Sequence, residues 1–278
     1  MKYFEFGQQN EKLMVLLHGG GICYRGALPV AEALSKDFHV VLVAYDGFNP
    51  TEPDTEFVSV MDEARRLGDY IVEHYSGRID VLYALSYGCR VLLEVLADKR
   101  LIITTAIADG MSTHEYPNIK SKLGKDIYCF FFTGFFYVMM GNAGPLRKKL
   151  IAKLVGRKPE EAERLLYPYA SWQSWKNQDY CLINRPINFE VFKNTDMHIW
   201  HGIKSDVEKK LARDIQKWQN ADYAFTYKVF PNVGHGGLAG EHTQRFIDEV
   251  KAVYQISLQK KKLSHIVCDN DISSSSNI

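Results

Sequence analysis

The sequence has almost no net charge: 34 Lys and Arg residues face 33 Asp and Glu, leaving +1. Taken over the whole chain, that balance gives no electrostatic case for a nucleic acid or an anionic membrane as partner. Cysteine is sparse. Cys23, Cys89, Cys129, Cys181 and Cys268 are odd in number, widely spaced and without a C-x-x-C pair. This argues against a zinc site and a disulfide framework and points to free thiols in a reducing cytoplasm. Residues 1–7 lack the apolar core and small-residue cleavage site of a secretion signal. The most apolar run, 127–141, is about 15 residues long against the roughly 20 that a spanning helix needs, and Gly134 interrupts it. No transmembrane segment is therefore expected. His198 and His201, three apart on a predicted strand, point to opposite faces, so no shared metal is expected there either.

What is present is the composition of a globular domain, with 46% hydrophobic and 24% charged residues in 278. That length suits one sizeable core with an insertion. Leu13–Leu17, His39–Ala44, Ile79–Leu85 and Leu101–Ala108 are continuous apolar or β-branched runs, the mark of strands buried on both faces of a parallel sheet. Helix-period segments lie between them, with Val60, Met61, Ala64, Leu67, Ile71 and Val72 in register and Ser76-Gly77 as a stop. Lys2–Phe6 reads as an edge strand. After Gly110 the alternation breaks for about 85 residues, far more than a simple crossover needs. It resumes with strands at 197–201 and 223–230 and helices at 207–219 and 246–256. The expected fold is α/β, a mostly parallel twisted sheet with helices on both faces. Residues 1–110 and 196–258 would form the core, 111–195 a helical insertion, and 259–278 a disordered tail.

The stretch that carries chemistry is Val81-Leu82-Tyr83-Ala84-Leu85-Ser86-Tyr87-Gly88-Cys89-Arg90. A β-rich run stops at a serine with small residues two positions away on either side, and a helical run begins at once. Such a turn strains the apex residue, lifts its hydroxyl clear and places it at a helix N-terminus, where unpaired N–H groups favour a developing oxyanion. The pattern resembles the G-x-S-x-G nucleophile elbow of the α/β-hydrolase family, with Ala84 in place of the first glycine.

The resemblance extends over about residues 1–256. His18-Gly19-Gly20-Gly21 follows the first parallel strand, where the family shapes an oxyanion loop. The implied donors are the backbone N–H groups of Gly20, or its neighbour Gly21, and of Tyr87. These glycines are not a phosphate loop, since the Lys-Ser/Thr ending and G-x-G-x-x-G spacing are absent. The family's chain order of serine, acid, histidine is met by Ser86, Asp206 and His235. Asp206 is preferred for its place in the loop after a late strand, with Asp109 and Glu208 as rivals. His201 reads as structural and His242 as a surface residue.

The insertion resembles the helical cap that these hydrolases place over the carboxyl ends of the strands. Its aromatic run, with Phe131, Phe135 and Met139, either forms the cap's own core or lends residues to a pocket wall beside His18 and Gly21. The basic face of the segment after it, with Arg147, Lys148, Lys149 and Lys153, reads as a solvated surface, with membrane-surface contact as the lesser reading. The resemblance implies a carboxylic ester hydrolase working through an acyl-enzyme on Ser86, with no cofactor and no metal. The partner would be a small-molecule ester or amide. An amidase or peptidase would use the same three residues, and a ligand-binding receptor on this fold would keep the pocket with little turnover.

Overall fold

The computed structural model describes residues 1–112, 119–140, 149–150, 152–153, 167–184, 187–219 and 224–275. Within them, seven strands form one sheet in the order β1-β3-β2-β4-β5-β6-β7. The strands are β1 (Lys2–Phe6), β2 (Leu13–Leu17), β3 (His39–Ala44), β4 (Arg78–Leu85), β5 (Ile102–Asp109), β6 (Asp196–Gly202) and β7 (Thr226–Phe230). β1 pairs antiparallel with β3 at one edge, and every other pairing is parallel. The helices are α1 (Leu28–Leu34), α2 (Val60–Tyr75), α3 (Gly88–Leu96), α4 (Lys122–Met140), α5 (Trp172–Asn184), α6 (Asp206–Gln219), α7 (Gly237–Glu241) and α8 (Thr243–Ser275).

The period-2 alternation of the strands divides the core in two. Val15, Leu17, Val41, Val43 and Leu82 face one side and pack under Leu67 and Ile71 of α2 and Val91, Leu92 and Val95 of α3. Met14, Leu16, Val40, Leu42 and Val81 face the other and pack under Val30 and Leu34 of α1 and Phe246, Val250 and Tyr254 of α8. Strands covered on both faces explain the uninterrupted apolar runs in the sequence. α2 starts at Ser59, whose hydroxyl accepts the Asp62 N–H at 3.1 Å, and ends at Ser76 with φ +53°, so both ends follow from the cap residues.

Between β5 and β6 the chain forms α4, α5 and a short 3₁₀ turn at Phe189–Asn194, with α4 packed on α5. Most of the basic segment after α4, with Arg147 and Lys148, lies outside the described residues. At the other end of the chain α8 runs from Thr243 to Ser275. It is tied down at Asp196, which accepts from Ser257 Oγ and Lys260 Nζ, each at 2.7 Å.

Candidate active site

β4 leads straight into α3 through Ser86, whose φ is +54°. This is the left-handed region that a residue with a Cβ enters at a cost of about 1–3 kcal/mol, and only where its surroundings hold it there. The Ser86 N–H donates to Asp109 O at 2.7 Å, and its carbonyl accepts the Cys89 N–H at 3.0 Å. A Cβ at Gly88 would sit 2.6 Å from the His18 carbonyl oxygen and 3.0 Å from that of Leu17. The small residue after the elbow is thus required by the close passage of the loop that follows β2.

That loop lies against the serine. A Cβ on Gly19 would be 3.3 Å from Ser86 Cβ, and one on Gly20 would be 3.0 Å from Tyr87 Cβ. Gly20 and Tyr87, the two expected N–H donors, are therefore neighbours. Gly21 has φ +64° and accepts the Tyr167 N–H through its carbonyl at 3.0 Å, so it turns the chain. His18 is buried, with Nδ1 2.9 Å from Gly19 O and its ring against Tyr45. Burial pushes its pKa down to about 4, leaving it neutral. It shapes the loop and lines a cavity of about 70 Å³ together with Leu85 and Gly236.

His235 comes from the loop after β7. Its Nδ1 is 2.8 Å from Glu208 Oε1. Its ring lies against Gly110, the residue after the Asp109 that holds the Ser86 N–H: a Cβ there would be 2.4 Å from His235 Cε1, and Gly110 has φ +67°. Ser86 and His235 are thus both anchored on the carboxyl end of β5.

Asp206 is not the carboxylate that meets His235. α6 begins at Asp206, one residue earlier than the sequence suggests, and residues two apart on a helix lie roughly 200° apart around it. Asp206 turns out to solvent, with its side chain 97% exposed and paired with Lys209 at 3.0 Å. Glu208 turns inward, 3% exposed, and its N–H is capped by Ser205 Oγ at 3.2 Å. Burial opposes its ionisation, but the charge and hydrogen bond of His235 outweigh that and hold its carboxyl below the ordinary value. Asp109, the other rival, is buried and accepts from the Tyr83 hydroxyl at 2.8 Å. His201 is buried with Nε2 3.1 Å from Met111 O, and burial lowers its pKa to about 4. His242 is exposed.

The sequence contained a signal for Glu208. Ala212 and Ile215, four and seven residues on, are buried, so Glu208 falls on the apolar stripe of α6. An acid in phase with a buried face needs a partner inside. Gln178 of α5 gave no such signal. It is buried, its side-chain Oε1 lies 2.8 Å from where a Gly20 Cβ would stand, its backbone carbonyl oxygen accepts the Tyr87 hydroxyl at 3.0 Å, and its Nε2 has no protein partner. Phe131 and Phe135 lie on α4. They are 70% and 57% exposed, on the side of α4 away from Cys129, which contacts Lys176 O on α5. Met139 is half-buried. Among the described residues no group of three His, Cys, Asp or Glu side chains is placed to hold a metal, and no helix is long and apolar enough to cross a membrane.

Comparison with known proteins agrees with this architecture. Solved structures with the same fold include a thermophilic esterase from Thermogutta terrifontis (16% identity, 92% of this chain and 93% of that one, TM-score 0.67). MenH from S. aureus is alike at 16% identity, 92% and 98% coverage and TM-score 0.66. An alpha/beta hydrolase family protein from Desulfitobacterium hafniense is alike at 14% identity, 91% and 99% coverage and TM-score 0.67. At such identities these likenesses speak to the fold alone. No curated protein matches the sequence. Residues 14–249, most of the chain, match the family described as the Alpha/beta hydrolase family, and the chain belongs to that family.

Proposed function

We propose that the protein is a serine hydrolase acting on carboxylic esters, with Ser86 as nucleophile, His235 as general base and Glu208 as the orienting acid. The observation that carries the reading is a left-handed serine and a histidine paired to a buried carboxylate, the serine held by Asp109 and the histidine ring against Gly110 at the same end of β5. A serine hydroxyl is a poor nucleophile at neutral pH, and a neutral imidazole must take its proton during attack. Glu208 at Nδ1 directs the free lone pair of His235 to Nε2 and stabilises the imidazolium that forms. The N–H groups of Gly20 and Tyr87 would receive the oxyanion of the tetrahedral intermediate. His235 would then return the proton to the leaving alcohol, and water, activated by the same ring, would release the acid from Ser86.

Gln178 would contribute a further polar group beside the oxyanion loop, since its amide oxygen lies against Gly20 and its amide nitrogen is buried with no protein acceptor. An amide held there suits a polar atom of the substrate. The test is hydrolysis of p-nitrophenyl esters of graded chain length by the wild type and by Ser86→Ala. The expected result is saturable turnover with a chain-length optimum, lost in the variant. Equal rates for the two proteins would overturn the reading.

A further inference from the structure

The apolar outer face of α4 is a second feature of the insertion. Leu123, Ile127, Phe130, Phe131 and Phe135 are 50–70% exposed. At about 100° per residue they fall within roughly 140° of arc. The opposite side carries buried Cys129 and Thr133 and half-buried Phe136, and it packs toward α5. The three phenylalanines alone leave on the order of 350 Å² of apolar surface open. That equals the largest such patch on many monomeric proteins, and such patches are often functional.

Charge says what the face fits. Residues 120–158 hold nine Lys and Arg and one acid, Asp126, a net of +8 in a chain whose total is +1, so the remainder carries −7. Of these basic residues, Lys120 and Lys122 at the start of α4 and Lys149 and Lys153 beyond it are exposed. An apolar helix face bordered by lysines, too short and interrupted to span, has the composition of a helix that lies in the headgroup region of a bilayer. A protein partner of ordinary composition would not call for so strong a segregation of positive charge. Anionic lipid would, at about fivefold in affinity for each lysine near the surface.

We propose that the outer face of α4 and its flanking lysines dock the protein on an anionic lipid bilayer, with Phe131 and Phe135 entering the acyl boundary. The contact does not depend on the chemistry at Ser86. With α5 between α4 and Gly20, it would leave the oxyanion loop above the lipid.

The test is flotation of the full chain with vesicles of phosphatidylglycerol and phosphatidylcholine in equal parts, compared with phosphatidylcholine alone. Sedimentation of the lipid-free protein is measured in parallel. The wild type should float with the anionic vesicles, lose binding as salt is raised, and bind phosphatidylcholine weakly. F131S and F135S should each cost roughly tenfold in partitioning, and Lys122→Glu several-fold. Each variant should keep the thermal transition of the wild type, since the altered side chains are exposed. Absence of flotation, or binding unchanged in the F131S/F135S double variant, would overturn the proposal. A lipid-free dimer dissociated by that double variant, with no binding to vesicles, would overturn it in favour of a second copy of the chain.

Discussion

Replacing Glu208 by glutamine keeps the size of the side chain and an oxygen for the His235 Nδ1–H, but removes the charge. Glu208 Oε1 is 2.8 Å from Nδ1 and the side chain is 3% exposed, so the charge acts with little screening. Two unit charges about 4 Å apart at an effective dielectric of about 20 interact by roughly 4 kcal/mol. That is the stabilisation withheld from the imidazolium in the transition state, about three decades in rate. If the amide also presents its NH₂ and inverts the tautomer, the loss approaches about 10⁴. kcat on a p-nitrophenyl ester should therefore fall by about 10³ to 10⁴ in Glu208→Gln, with the thermal transition retained. Asp206→Asn should change it less than about twofold, because that carboxylate is 97% exposed and bonded to Lys209. A larger loss in Asp206→Asn than in Glu208→Gln would refute the assignment.

Three further outcomes follow from the same geometry. Gly110→Ala places a methyl group 2.4 Å from His235 Cε1 at a φ of +67°; kcat should fall at least about tenfold through displacement of the ring, and full activity would show that His235 does not work in this position. kcat/KM should fall as pH drops through the ordinary histidine range of about 6 to 7, and a flat profile from pH 5 to 8 would rule out an imidazole base. Glu63 is fully buried, and desolvation, followed by the charge of Asp46, raises its carboxyl to about 8. A raised folded pKa means that wild-type stability is full below about 4.5 and declines as pH rises toward 8. Glu63→Gln should match the wild type in urea unfolding near pH 4.5 and exceed it by a few kcal/mol at pH 8, and an equal difference at both would contradict this.

The sheet was legible because each core strand is covered on both faces and so reads as an unbroken apolar run. The elbow was legible because steric limits at Gly88 and the strand-to-helix switch at Ser86 are local properties. The acid was harder to read. Asp206 and Glu208 sit in one helical turn, and a shift of one residue in where α6 begins decides which of them faces inward. Gln178 left no trace, since its place beside Gly20 depends on how α5 packs across a connection of some 85 residues. The exposure of Phe131 and Phe135 was not legible, because hydrophobicity does not say which side of a helix is covered. Polar composition past Gln259 gives no sign of the contacts that Asp196 makes with Ser257 and Lys260 on α8.

The central claim is that Ser86 is an activated nucleophile. The most direct test is reaction of the intact protein with a fluorophosphonate, followed by mass measurement and peptide mapping. A single adduct on Ser86, formed by the wild type, absent in Ser86→Ala and slowed by Glu208→Gln, is the predicted result. Folded protein that forms no adduct, or an adduct that persists in Ser86→Ala, would contradict it.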